Sequence, residues 1–211
     1  MRLIRKGAEA NLYLGRWYGR AVILKERIGK SYRNSLLDAR LRRERTIHEA
    51  QMIHQAKRAG VATPTVYFMD LEKCQLYLEY LPGPRLKEEL NKLGSEQSRS
   101  ICHEIGKTIG CLHCSEIVHG DLTTSNMIMQ GDSSICLIDF GLSFRSLDIE
   151  DRGVDLHLMR RALNSTHFKK AKYCFNSVVD GYCSRVGKEL GKSVLGRVRQ
   201  IERRGRYFEE R

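Results

Sequence analysis

No apolar run in the 211 residues approaches the ~20 residues that a membrane-spanning helix needs, which excludes an α-helical integral membrane protein. Met1-Arg2-Leu3-Ile4-Arg5-Lys6 is not followed by the apolar core of a secretory signal, so a cytoplasmic and nuclear location is expected. A disulfide framework is also missing. The seven cysteines, at positions 74, 102, 111, 114, 136, 174 and 183, are odd in number and scattered, as free thiols of a reducing compartment are. Cys111-Leu112-His113-Cys114 lacks a second pair at ligand spacing, so two ordinary cysteines near a helix end are preferred over a zinc half-site. Acidic residues are short as well, 25 against 37 Lys and Arg, and the formal charge of +12 implies an acidic partner, nucleic acid first. Apolar content of 41% supports a genuine core, in one large domain or two small lobes.

The most informative stretch runs from Val118 to Gly141. It contains His119-Gly120-Asp121-Leu122-Thr123-Thr124-Ser125-Asn126 and then Ile138-Asp139-Phe140-Gly141. Asp121 and Asn126 have the D-x-x-x-x-N spacing of a kinase catalytic loop, and Asp139 opens a D-F-G. Phosphoryl transfer needs these groups: one carboxylate to orient or deprotonate the attacking hydroxyl, and an amide oxygen and a second carboxylate to hold Mg²⁺. Between them, Met127-Ile128-Met129 and Ile135-Cys136-Leu137-Ile138 flank Gly131-Asp132, a hairpin signal that would return Asp139 to Asn126.

Upstream, Gly7-Ala8-Glu9-Ala10-Asn11-Leu12 stands where a G-x-G-x-x-G phosphate-covering loop would lie, with a single glycine left. The strand Ala21-Val22-Ile23-Leu24-Lys25 follows. Alternation puts Ala21, Ile23 and Lys25 on one face, and Lys25 occupies the place of the lysine that contacts the α- and β-phosphates of ATP. Ile23, where kinases carry a small alanine, would tighten the adenine pocket. A helix is predicted over 36–59. Its candidates for pairing with Lys25 are Glu49 and Glu44; Glu49 is preferred because Ala50 and Ile53 place it near the core face. Leu76 to Tyr80 is predicted to be a strand entering a hinge whose backbone around Glu79 and Leu81 would bind adenine.

Further helices are expected over 98–113, with Ile101, Ile105, Ile109 and Leu112 inward, over 151–163, around Ala171 to Val186, and through Val194, Val198 and Ile201. Asp155 would either hold the catalytic-loop backbone or be a surface charge. No A-P-E follows Gly141 and His119-Gly120-Asp121 lacks the arginine of H-R-D, so a peptide platform and its phosphorylation-driven ordering are not expected. Lys30, Arg33, Arg40, Arg42, Arg43 and Arg45 place six cations in sixteen residues, opposed by Asp38 and Glu44. Each duplex phosphate they neutralised would steepen the salt dependence of binding by about 0.9 log units per log salt. Arg197, Arg199, Arg203, Arg204 and Arg206 make the tail a candidate mobile phosphate-binding arm.

Gly7-Ala8-Glu9-Ala10, Lys30-Ser31-Tyr32-Arg33, Leu37-Asp38, Arg45-Thr46, Glu49-Ala50, the segments 119–126 and 138–143, Val154-Asp155-Leu156, Ser165-Thr166-His167 and Arg204-Gly205-Arg206 together resemble the PRPK family, the small kinase-like ATPase subunit of the KEOPS (EKC) complex. Asn34-Ser35 departs from the family's His-Pro, and Tyr207-Phe208 replaces further basic tail residues. The resemblance implies an α+β, minimal bilobal kinase-like fold. Residues 1–80 would form an N-lobe of antiparallel sheet plus helix, and 81–211 a short, mainly helical C-lobe without a full activation segment. It implies ATP and Mg²⁺ as cofactors, with Asp121 catalytic and Asn126 and Asp139 on the metal. Gly7 to Leu12, Lys25, Glu49, Glu79 and Leu81 would hold the nucleotide. It further implies ATPase activity, with serine phosphorylation in isolation, in the machinery that forms threonylcarbamoyladenosine next to the anticodon of certain tRNAs. The implied partners are a threonylcarbamoyl-transferase subunit, a small regulatory subunit and tRNA, the last through Arg40, Arg42, Arg43, Arg203, Arg204 and Arg206. A stand-alone serine/threonine protein kinase is the alternative.

Overall fold

Alternating side chains and tight turns build the N-terminal sheet. Strands β1 (Arg2–Lys6), β2 (Ala10–Trp17) and β3 (Arg20–Arg27) form an antiparallel meander. Tyr18 and Gly19 close β2 onto β3 with φ of 46° and 79°, the primed turn whose twist matches that of the strands it joins. Helix α1 (Ser35–Arg58) then crosses the sheet, and β4 (Val66–Asp70) and β5 (Gln75–Glu79) complete the order β1-β2-β3-β5-β4. Asn34, one of the two departures from the family pattern, caps α1: its Oδ1 accepts from the N–H groups of Leu36 and Leu37 at 3.0 and 3.3 Å. The computed structural model describes residues 1–131 and 134–209, with side chains of the last helix as far as Arg204. Asp132 of the expected hairpin turn lies outside the described residues, as do the side chains of Arg206, Tyr207 and Phe208.

The C-terminal part is mainly helical, with α2 (Leu86–Glu89), α3 (Ser95–Cys114), α4 (Ile149–Thr166), α5 (Ala171–Val186) and α6 (Lys188–Glu209). Short strands β6 (Ile117–Val118) and β9 (Phe144–Arg145) pair with each other, and β7 (Met127–Gln130) pairs with β8 (Ser134–Leu137) as the predicted hairpin. The fold is therefore α+β, as expected, and only Ser146, Leu147 and Asp148 separate Gly141-Leu142-Ser143-Phe144-Arg145 from the start of α4 at Ile149. Among the described residues no helix is long and apolar enough to cross a membrane.

Ile101, Ile105, Ile109 and Leu112 are fully buried on α3, as their spacing predicts. They face α5 across a backbone contact. A Cβ at Gly106 would lie 2.0 Å from the carbonyl oxygen of Val178, and one at Gly181 would lie 1.9 Å from that of His103. No rotamer relieves a clash between a Cβ and a backbone oxygen. Gly106→Ala is therefore expected to destabilise the fold by about 3 kcal/mol, the upper range for overpacking. A chemical-denaturation midpoint equal to that of the parent protein would refute the contact.

The tail differs from a loose arm as far as it is described. Val194 and Val198 bury α6 against the body, and Arg197 and Arg204 both reach Glu150 on α4, at 3.0 and 2.8 Å. The helix that Val194, Val198 and Ile201 marked continues through the basic stretch.

Candidate active site

β3 delivers Lys25 and α1 delivers Glu49 to one point. Lys25 Nζ lies 2.6 Å from Glu49 Oε1 and 2.7 Å from Asp139 Oδ1. Glu49 is fully buried, whereas Glu44 is half-exposed and pairs along the helix with Arg40 at 2.7 Å. The core face of α1 thus selects between the two glutamates. Burial works against the Lys25 ammonium, but the facing carboxylates of Glu49 and Asp139 outweigh it and hold its pKa above the ordinary lysine value. Burial likewise acts to raise the pKa of Asp139, and the neighbouring Lys25 outweighs it, so the carboxyl stays below its usual range.

Arg27 was not anticipated from the sequence. It lies two residues beyond Lys25 on the same strand face, which is the signal that could have found it. Its Nη2 donates to Glu49 Oε2 at 2.6 Å and to the Arg45 carbonyl at 3.3 Å, so the buried carboxylate is shared by two cations. Shared in this way, the buried carboxylate is fully paired and fixes both cations at the cleft.

The hairpin performs the predicted return. The Ile138 N–H donates to the Asn126 carbonyl at 2.9 Å, placing Asp139 beside Asn126. The amide nitrogen of Asn126 donates to the Asp121 carbonyl at 3.0 Å and to Asp121 Oδ2 at 2.8 Å, which leaves the Asn126 amide oxygen free to face a cation. Asp139 has φ of 66°, a left-handed conformation that aspartate tolerates better than most residues and that marks strain at the site. Among the described residues no three His, Cys, Asp or Glu side chains cluster as a metal cage. Two hard oxygen donors without a cage suit Mg²⁺, which keeps waters and takes the rest of its ligands from substrate phosphates.

Asp155 settles its two readings by its contacts. Fully buried on α4, its carboxylate accepts the His119 and Gly120 N–H groups at 2.7 and 2.8 Å and faces His113 Nε2 at 3.3 Å. It holds the catalytic-loop backbone from below. Burial pushes the His119 imidazole below the ordinary histidine pKa against the nearby carboxylates of Asp155, Asp121 and Asp139; its Nδ1 accepts the Asp121 N–H at 3.3 Å. His167, from the Ser165-Thr166-His167 motif, braces the same loop, with Nε2 3.0 Å from the Thr124 hydroxyl and Nδ1 2.9 Å from Asn91 Oδ1.

These groups line one cleft with two connected cavities. The inner cavity, about 280 Å³, is walled by Ile23, Leu78, Ile128 and Ile138 and edged by Tyr80 and Leu81. The outer one, about 460 Å³, lies under Gly7, Ala8, Glu9 and Ala10, and both reach Lys25, Asn126 and Asp139. The single glycine of the loop is needed locally: a Cβ at Gly7 would sit 2.6 Å from the Ala10 carbonyl oxygen, to which the Gly7 N–H donates at 3.0 Å. Glu9 pairs with Arg45 at 2.7 Å and Lys30 donates to the Ala8 carbonyl, which tie the loop down.

One expectation needs correction. Asn11 does not face the cleft. Ala10 and Leu12 do, and strand alternation turns Asn11 to the opposite face, where it approaches Tyr13. Glu79 lines the inner cavity, its N–H donating to the Thr65 carbonyl at 2.8 Å and its carboxylate accepting the Thr65 N–H at 2.9 Å. The cationic face of α1 is also less free than its composition implied. Arg42 and Arg33 close on the buried Asp38 at 2.7 and 3.7 Å, Arg40 on Glu44 and Arg45 on Glu9. Of Arg40, Arg42 and Arg43, only Arg43 makes no ion pair among the described residues.

A protein kinase domain model matches residues 4–152. The chain is 46% identical to KEOPS complex subunit Bud32 of Pyrococcus abyssi, across 99% of its own length and 97% of that protein's. This chain belongs to the Bud32 family of protein kinases. The EKC/KEOPS complex subunit bud32 of Dictyostelium discoideum is 35% identical over 97% of the chain and 82% of that protein. A probable bifunctional tRNA threonylcarbamoyladenosine biosynthesis protein of Methanothermobacter thermautotrophicus is 42% identical over 97% of the chain, which spans 36% of that longer protein. The kinase-family membership makes this chain an enzyme of the ATP-using, phosphoryl-transferring type.

Proposed function

We propose that this chain is the ATP-hydrolysing kinase-fold subunit of a KEOPS assembly and serves the formation of threonylcarbamoyladenosine on tRNA, in the cytoplasm and nucleus. The observation that carries the reading is the convergence of Lys25, Glu49 and Asp139 above Asp121 and Asn126 in one cleft, in a chain whose similarity to a KEOPS subunit runs end to end. The apolar inner cavity takes the adenine, with Leu81 of the hinge at its edge. Lys25, oriented by Glu49, grips the phosphates that Gly7 to Ala10 cover. Asn126 and Asp139 would hold Mg²⁺, which when bound neutralises phosphate charge. Asp121 orients a water, or in isolation a seryl hydroxyl, toward the γ-phosphate. With so few residues between Gly141 and α4 there is no platform for a peptide, which favours hydrolysis over protein phosphorylation.

The test is ATP hydrolysis by the purified chain, with and without its transferase partner and with and without tRNA. Stimulation by partner and tRNA together is expected. Hydrolysis indifferent to both, with rapid phosphorylation of an added protein, would replace this reading by a stand-alone serine/threonine kinase. Of the basic residues assigned to tRNA, Arg43 and Arg203 make no ion pair among the described residues, and the salt dependence of the tRNA stimulation reports on them.

A further inference from the structure

Helix α1 does more than present Glu49. The residue before it, His48, has its Nε2 2.6 Å from the Ser143 carbonyl oxygen. A carbonyl only accepts, so Nε2 carries the proton and donates. Ser143 is almost fully buried, and its hydroxyl donates to the His119 carbonyl at 3.0 Å. Its N–H donates to the Phe140 carbonyl at 3.2 Å, which closes the turn that begins at Asp139. The same turn presses on the catalytic loop: a Cβ at Gly120 would lie 2.4 Å from the Leu142 carbonyl oxygen. The Asp121 N–H in turn rests on His119 Nδ1. One chain of hydrogen bonds therefore runs from α1 through Ser143 to the loop bearing Asp121.

We propose that His48 is a positioning residue, a latch that joins helix α1 to the turn after Asp139 and through it sets the register of Asp121 against Lys25. The latch does, within the folded chain, the ordering that a phosphorylated activation segment does in longer kinases, so the site is assembled without modification. It rests on the phosphoryl-transfer reading of the cleft. It is independent of nucleotide grip, because Glu49 is separately clamped by Lys25 and by Arg27. Loss of the latch should therefore lower the rate of the chemical step and spare ATP binding.

The experiment is steady-state hydrolysis of Mg-ATP by the full chain carrying His48→Phe, which keeps a ring but no donor, and His48→Gln, whose amide nitrogen can donate from the same place. His48→Phe is expected to lower kcat by roughly tenfold or more, the scale of a small misplacement of reacting groups, with KM for ATP held within about twofold. His48→Gln should restore kcat to within about twofold of the parent. Ser143→Ala removes the next bond in series, so the double variant with His48→Phe should be no slower than the slower single variant. Thermal melting of each variant checks that the fold is intact. Parental kcat in His48→Phe, equal losses in the Phe and Gln variants, or losses that multiply in the double variant would each overturn the latch. Asp121→Ala is run beside them: if it lowers turnover as expected while His48→Phe keeps the parental kcat, the latch alone fails; if Asp121→Ala keeps turnover, the reading of the cleft fails and the latch with it.

Discussion

Asp121→Ala is expected to lower ATP turnover by roughly 10²–10⁴-fold, the usual range for removal of a general base. The neighbourhood makes this a clean substitution. The loop that carries Asp121 is held by Asp155 on the His119 and Gly120 N–H groups and by His167 on Thr124, none of which depends on the Asp121 carboxylate. The one bond lost is from the Asn126 amide nitrogen to Oδ2, and that nitrogen keeps its bond to the Asp121 carbonyl. Asn126 therefore stays in place, and ATP affinity should change little while the chemical step slows. Single-turnover hydrolysis, paired with nucleotide titration, separates the two quantities. Undiminished hydrolysis in a preparation free of contaminating ATPase would remove Asp121 from its assigned role.

The second large effect is at Asp139. Against its burial, Lys25 at 2.7 Å holds its carboxyl below the usual carboxylate range. Asp139→Ala should abolish the dependence of ATP binding on Mg²⁺: affinity in the presence of Mg²⁺ falls to the value measured with chelator. Turnover should drop by about 10²-fold or more, since several kcal/mol of charge stabilisation is lost. The φ of 66° complicates alanine, which is disfavoured there by about 1–2 kcal/mol. Asp139→Asn is the control, because asparagine tolerates the left-handed region and removes only the charge. If Asp139→Asn retained Mg²⁺-dependent binding, the metal would have to be held elsewhere.

The parts of the site that sequence made legible are those carried by local spacing. The interval from Asp121 to Asn126, the D-F-G at Asp139 and the apolar runs that form β7 and β8 are short-range, and the hairpin between them left one geometry for the return. The inward face of α3 was readable for the same reason, since four residues at helical period had only one side to bury. Where a residue's role depends on what crosses to meet it, spacing was silent. Glu44 and Glu49 share one helix, and the sheet that α1 covers decided which is buried. Asp155 could be surface or core until α4 was seen beneath the catalytic loop. The basic stretch from Lys30 to Arg45 counted as a free cationic face because Glu9 is remote in sequence and only the sheet brings it to Arg45.

Sequence alone determined the order of the candidate site's parts: a lysine strand, a glutamate helix, the Asp121–Asn126 loop and Asp139, with no room for an activation segment after it. These are fixed by covalent spacing, which no packing can change. Tertiary structure decided which charges are spent on one another and which remain for a ligand, and it revealed Arg27 on Glu49 and His48 on Ser143. Such pairings span tens of residues along the chain and exist only where buried backbone and charge must find partners, so they follow from the folded arrangement rather than from any motif.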